Sequence, residues 1–186
     1  KQSGSLIWWF KEWLDKVGND KACLLMHTDP KDPNGQDIIQ IMEHIKANDG
    51  QILLSTKKVA SEDLANLYNA ADFTINISDA EGFGLSTLES LFCGTPIIVN
   101  NTGDLQEQVT DGQTEFGVGI DPAVKNIIGS QLVPYIYEDK IAKEDFLAAM
   151  RKIYNMTSEE RANLGAKGRE YVLNNYSQSK AIEAWD

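Results

Sequence analysis

The sequence predicts an α/β fold, a doubly wound parallel sheet of Rossmann-like form, and two observations carry that prediction. Short apolar runs alternate with amphipathic stretches over the first hundred residues. That spacing belongs to right-handed βαβ units whose parallel strands are covered on both faces. At 186 residues, with 42% apolar and 24% charged side chains, the chain also has the size and composition of a soluble globular domain able to bury a core. One domain over residues 1–186 is the economical count.

SLIWWFKEWLDKV (5–17) has helical spacing, with Trp8, Trp9 and Trp13 expected in the core or on a surface buried by another part of the protein. ACLLMH (22–27) reads as a strand, DIIQIMEHIKA (37–47) as a helix and QILLS (51–55) as a strand. SEDLANLYNAA (61–71) is a helix that Ser61 is placed to cap. DFTINIS (72–78), LSTLESLFC (85–93) and TPIIVN (95–100) continue as strand, helix and strand. Beyond residue 100 the pattern dissolves into short turn-rich pieces, NNTGDLQEQVTDGQTEFGVGIDP, then resumes as helices over 141–154, 158–174 and 178–185. In TSEE, Thr157 as N-cap and Glu160 at the third helical position form a capping box.

Seventeen basic against 28 acidic side chains give a net charge of −11. A broad electrostatic grip on nucleic acid or anionic lipid is thereby disfavoured, and any bound anion must be held locally. Cys23 and Cys93 lie far apart without metal-ligand spacing, which suggests reduced, partly buried thiols and a cytoplasmic setting. The sequence has no apolar run long enough to span a membrane and no signal peptide, and the opening KQSGS, without Met, is read as the start of a fragment. Of the N-x-S/T triplets at Asn76, Asn100, Asn155 and Asn175, the first falls inside FTINIS, where a glycan would disrupt packing. All are read as chance.

The strongest functional signal is EGFGLSTLE, residues 81–89. It lies just past the carboxyl end of the strand FTINIS, where open parallel sheets bind ligands. Gly82 and Gly84 permit close backbone approach or positive φ, and the helix from Leu85 or Ser86 aims free N–H groups and a positive dipole end at the same space. The spacing is neither G-x-G-x-x-G nor a P-loop. Glu89 has two readings. With Ser86 it matches S-x-x-E, in which it bonds back to the backbone of Ser86; alternatively its two oxygens accept from both hydroxyls of a vicinal diol such as a ribose. Glu81 caps nothing obvious, and is either a solvated loop acid or the second half of a clamp around a phosphate ligand that carries hydroxyls.

EGFGLSTLESLFCGTPIIV resembles the signature of retaining GT-B glycosyltransferases of the glycosyltransferase family 4 type, group 1, in which an E-x7-E pair flanks a glycine turn. The similarity continues through YNAADFTINIS before it and GDLQEQVTDG after it, and covers only the carboxyl-terminal, donor-binding half of such enzymes. The resemblance implies transfer of a sugar from a nucleoside diphosphate sugar to an acceptor hydroxyl with retention of configuration, without cofactor or metal. It places Glu89 on the ribose hydroxyls and Glu81 near the bond being broken. It sets the backbone N–H groups of Gly82, Phe83, Gly84, Leu85 and Ser86 against sugar hydroxyls and the distal phosphate. Val59, in KKVAS, is the implied backbone contact of the base. An Arg and a Lys are implied to stabilise the departing diphosphate. The Arg and its strand are not in this chain; Lys1 stands where the Lys is expected, or is a frayed end.

The implied partners are the nucleotide sugar and an N-terminal acceptor domain, which this chain lacks together with the first strand of its own half. No nucleic acid is implied, and peripheral membrane contact falls to the missing half. The isolated chain is expected to bind donor and to turn over poorly. Among departures from the family pattern, the usual Gly-Gly reads Gly103-Asp104, and MHTDP replaces a glycine-rich strand end, leaving His27 either to reach a ligand or to hydrogen-bond in the packing. Phe83 is a plug or a ligand contact. The alternative is a non-catalytic nucleotide- or sugar-binding module. A GT-B epimerase, which would want more ionisable groups than two histidines, ranks below both.

Overall fold

The computed structural model describes residues 1–183 and Trp185. The chain runs α1 (Ser3–Val17), β1 (Leu24–His27), α2 (Ile38–His44), β2 (Ile52–Ser55), α3 (Ser61–Ala70), β3 (Thr74–Asn76), α4 (Leu85–Phe92) and β4 (Ile97–Asn100). It continues with α5 (Leu105–Val109), β5 (Gly117–Ile120), β6 (Val124–Ile128), β7 (Ile136–Lys140), α6 (Lys143–Tyr154), α7 (Ser158–Asn175) and α8 (Gln178–Glu183). Of the helix expected over 178–185, Ala184 lies outside the described residues.

The strand β4 explains the layering. All four of its residues are buried, and alternate side chains enter different cores. Ile98 joins Ile7, Phe10 and Leu14 of α1 and Phe146 and Met150 of α6. Ile97 and Val99 join Leu88 and Leu91 of α4, Leu105 and Val109 of α5, and Val172 of α7. Helices therefore cover both faces, as the βαβ alternation predicts. Each fully buried Ile or Leu contributes about 1.5–3 kcal/mol.

The parallel strands form two hydrogen-bonded sets, β1–β2 and β3–β4–β5, rather than one continuous ladder. Leu24 pairs with Ile52 in the first, and Ile97 pairs with both Thr74 and Gly117 in the second. The strand β5 corrects the turn-rich reading beyond residue 100. GVGI lacks a strand's usual side chains because a Cβ on Gly117 would come within 2.1 Å of the Ile97 carbonyl oxygen, and one on Gly119 within 2.4 Å of Asn101 Oδ1. Close packing on β4 at Gly117, and on the Asn101 side chain just past it at Gly119, favours the residues that erase the strand signal.

The antiparallel hairpin β6–β7 also escaped the sequence reading. Its base is tied to the carboxyl edge of the parallel strands: the Asp139 N–H donates to the Asp79 carbonyl at 2.7 Å, and Asn100 Nδ2 donates to the Asp139 carbonyl at 2.6 Å. Its outer part exposes Ile127, Leu132, Tyr135 and Tyr137.

Smaller expectations divide. The capping box at α7 forms, with Glu160 N–H on Thr157 Oγ1 at 3.1 Å and Thr157 N–H on Glu160 Oε2 at 2.7 Å. Ser61 does not cap α3; the N-cap is Ala60, whose extended backbone starts the helix without a side-chain bond, and Ser61 is the first helical residue. Trp13 is core and Trp9 packs on Phe146, whereas Trp8 is 52% exposed with Lys143 Nζ 5.4 Å over its ring. Cys23 is exposed rather than partly buried, since it precedes β1 at the surface; Cys93 is half-buried. Among the described residues no helix is long and apolar enough to cross a membrane.

Candidate functional site

The strand β3 ends at Asn76, and the chain then crosses the carboxyl edge of the parallel strands through Ser78 and Asp79, both buried, to Glu81 and the glycine turn. Gly84 has φ +76° and is the N-cap of α4. A Cβ there would lie 2.6 Å from Leu105 Cδ2, so only glycine seats the turn on α5. The loop after β4 closes on the other side. Gly103, at φ +51°, packs so tightly on the Glu81 backbone that a Cβ would fall 1.9 Å from the Glu81 carbonyl oxygen. Of the Gly103-Asp104 pair, the first is thus the one the packing demands, while Asp104 is exposed.

Glu81 is the centre of a polar cluster. Its Oε2 pairs with the Lys1 ammonium and faces Asn76 Nδ2 at 3.4 Å. Asn76 is buried, and its Oδ1 accepts from the Ser78 N–H at 3.1 Å and Ser78 Oγ at 2.7 Å, which fixes the amide's donor side toward Glu81. Burial alone would raise the Glu81 pKa, but the Lys1 ammonium, the Asn76 amide and Ser78 together outweigh it and hold the carboxyl below its ordinary value. Beside it, Asp79 takes the Gln2 amide and lies 3.7 Å from Lys140 Nζ at the hairpin base. The start of α1 and the β6–β7 hairpin therefore meet at this edge.

Glu89 is not a helix cap. Because α4 begins at Leu85, the third helical residue is Thr87, and Glu89 lies two positions too far along to reach the free N–H groups. The Ser86–Glu89 capping-box reading is therefore corrected: Ser86 is already inside the helix. Glu89 is exposed, and its Oε2 accepts from Tyr68 Oη on α3 at 3.0 Å. Burial, then the hydrogen bond and charge of Glu89, push the Tyr68 phenol well above its ordinary pKa, so it remains a neutral donor. At the helix start, Thr87 Oγ1 lies 2.8 Å from the Gly84 carbonyl and 2.6 Å from Oε1 of the fully buried Gln108, whose Nε2 donates to the Phe83 carbonyl.

The remaining predicted residues spread around this shelf. Gly82, Leu85 and Ser86 are exposed beside the turn. The Phe83 ring leans edge-on against Tyr176 at 6.2 Å, and Tyr176 in turn meets Tyr171 at 5.9 Å, so Phe83 plugs the turn onto the end of α7. Val59 is half-buried on the loop from β2 into α3, and the link from that side to α4 is the Tyr68–Glu89 bond. His27 ends β1 on the same edge, exposed, with Nδ1 2.9 Å from Ser55 Oγ. Tyr68, Asn76 and Gln108 carry no local sequence signal as site residues, whereas Gly103 is signalled by its place after the strand TPIIVN, where the family pattern has Gly-Gly.

Two surface hollows lie away from the turn. One, of about 240 Å³, is lined by Ala71, Asp72, Gly94 and Pro96 at the amino ends of β3 and β4. The other, of about 410 Å³, is lined by Asp111, Lys167, Tyr171 and Asn174. Neither touches the carboxyl edge, where the chemistry-bearing groups converge. Among the described residues no cluster of three or more His, Cys, Asp or Glu is arranged to hold a metal ion.

Residues 32–171 match the family described as glycosyl transferases group 1. Over 63 residues the chain is 38% identical to the D-inositol 3-phosphate glycosyltransferase of Paenarthrobacter aurescens, a match covering 34% of this chain and 15% of that protein. The fold is similar to a glycosyltransferase from Rickettsia africae, with TM-score 0.70 and 20% identity over 99% of this chain and 43% of the other. It is also similar to Anabaena HepE in complex with UDP and glucose, with TM-score 0.62 and 12% identity over 95% of this chain and 52% of the other. The chain thus spans about half, or less, of the length of these relatives.

Proposed function

Because the chain belongs to the glycosyl transferases group 1 family, we propose that it is the donor-binding half of a retaining GT-B glycosyltransferase of the family 4 type. The whole protein moves a sugar from a nucleoside diphosphate sugar to an acceptor hydroxyl. Residues 1–186 form one domain in this reading. A strand ahead of α1 lies between β1 and β3, joining the two parallel sets into one sheet, and an acceptor domain faces the carboxyl edge where the hairpin exposes its apolar side chains.

The observation that carries the reading is the state of Glu89. It caps nothing, it is exposed, and a neutral Tyr68 hydroxyl holds one of its oxygens from α3. A ribose diol is the ligand chemistry that suits it. Glu81 then faces the donor sugar, with Gly82, Phe83, Gly84, Leu85 and Ser86 offering backbone N–H groups at the start of α4. Val59 meets the base. Lys1, now paired with Glu81, is a cation available to a diphosphate, so donor binding exchanges its partner and frees Glu81 toward the sugar. The leaving group is managed by Lys1 and the helix N-terminus, with no cofactor or metal invoked.

The UDP and glucose of the HepE complex support a nucleotide sugar as ligand. Thermal-shift titration of the chain with UDP, GDP and ADP tests the reading. One of them at a hundred times its dissociation constant is expected to add about 2.7 kcal/mol, roughly 5–10 °C. No shift with any of the three overturns it.

A further inference from the structure

Among the described residues Gln108 is the fully buried polar side chain that reaches the glycine turn from outside it. It sits on α5, 25 residues beyond Phe83, and no aspect of the donor reading assigns it a role. Its amide has only one chemically sensible orientation. The Phe83 carbonyl can only accept, so the nitrogen must face it; the oxygen then faces Thr87 Oγ1, whose single proton lies between it and the Gly84 carbonyl. Both ends of the amide are thereby used, and both uses fall on the entrance to α4.

The consequence lies in the Phe83–Gly84 peptide. In a planar trans peptide the carbonyl and the following N–H point in opposite directions, so anchoring the Phe83 oxygen on α5 sets the Gly84 N–H away from it. A peptide before glycine can flip between turn types at little steric cost, because glycine tolerates φ of either sign. Gly84 at φ +76° is one of those states, and the Gln108 amide selects it. That choice also fixes where the first free N–H groups of α4, on Leu85 and Ser86, are aimed.

We propose that Gln108 is a positioning residue for the distal phosphate of a nucleoside diphosphate, holding the Phe83–Gly84 peptide so that the turn presents its N–H groups to that phosphate. The inference rests on the donor reading above and adds to it a residue outside the E-x7-E stretch. Without the amide, the Phe83 carbonyl is left without its partner and the peptide is free to turn its oxygen into the space the phosphate would occupy.

The test compares nucleoside diphosphates (UDP, GDP, ADP) with the matching monophosphates, which lack the distal phosphate, by calorimetric and NMR titration of the 186-residue chain. Gln108→Leu is expected to weaken the diphosphate about tenfold and the monophosphate less than about twofold, a split that general loss of structure does not produce. Gln108→Glu keeps the shape and adds a pH signature. When protonated it can donate to the Phe83 carbonyl; when ionised it cannot. Burial raises the pKa of the new carboxyl, so its ionisation is followed by carboxyl NMR, and relative to wild type the diphosphate affinity is expected to fall as pH rises through that transition while the monophosphate affinity does not. If Gln108→Leu does not fold, the Glu variant decides alone. Equal weakening of both nucleotides, or a Glu variant that tracks wild type through the observed ionisation of its carboxyl, overturns the role of Gln108 while leaving the donor reading intact. Failure of wild type to bind any nucleotide overturns both.

Discussion

Replacing Glu89 by alanine separates a helix cap from a diol clamp. Its carboxylate lies beyond the free N–H groups of α4, so its loss orphans none of them. What disappears from the unliganded protein is one exposed hydrogen bond to Tyr68 Oη at 3.0 Å. Such a bond is worth about 0.5–1.5 kcal/mol, partly offset by alanine's better helix propensity, so the unliganded Tm should fall by less than about 4 °C. Ligand binding should suffer far more. Two ribose hydroxyls each lose a charged acceptor; at about 1.5 kcal/mol apiece the dissociation constant rises about 150-fold. With ligand at a hundred times the wild-type constant, wild type gains about 2.7 kcal/mol, while the variant sits below its own constant and gains only about 0.3 kcal/mol. Differential scanning fluorimetry would read this as about 5–10 °C against about 1 °C. The reasoning is refuted if Glu89→Ala keeps the full ligand shift, or if its unliganded Tm drops by more than about 8 °C, the behaviour of a lost cap with its helix.

Other perturbations follow from the same contacts. Gly103→Ala forces a Cβ against the Glu81 carbonyl, 1.9 Å away, in left-handed backbone; a loss of about 1–3 kcal/mol is expected, with weaker nucleotide stabilisation, and thermal unfolding unchanged from wild type would show that the loop yields freely. Lys1→Met removes the leading attraction on Glu81 while its burial stays, so the Glu81 pKa should rise, readable by carboxyl NMR titration. The sign for stability follows: a depressed carboxylate stabilises above its unfolded pKa, near 4.5, and that contribution is lost as pH falls through the folded value. Wild type should therefore exceed Lys1→Met at neutral pH and converge with it in acid, and a Glu81 titration indifferent to Lys1 would contradict the pair. Thr157→Ala should cost about 0.5–2 kcal/mol by removing the acceptor for Glu160 N–H, measured as a lower Tm.

The parts of the site that sequence makes legible are those whose chemistry is local. A glycine turn after a strand, followed by a helix start and bracketed by acids, states its own geometry within nine residues, and the acids keep their chemical type wherever the chain goes. The residues that hold the turn in place announce nothing. Tyr68 meets Glu89 from another helix, 21 positions away, and Gln108 reaches Phe83 from a five-residue helix that reads as loop. The misplaced cap at Ser86 has the same origin. Glycine and serine are both acceptable N-caps, so local preference could not choose between Gly84 and Ser86; the choice is made by Leu105 and Gln108 packing under Gly84. β5 fails for the converse reason, since Gly117 answers to the β4 backbone and Gly119 to the Asn101 side chain, not to strand propensity. Tertiary contact thus overrides local preference at the positions where the backbone must approach another backbone or, in the reading advanced here, a phosphate. Of those positions Gly84 and Gly103 lie at the carboxyl edge, where a ligand-binding parallel sheet must hold its turn still, whereas Gly117 lies at the amino end of β4 and answers to sheet packing.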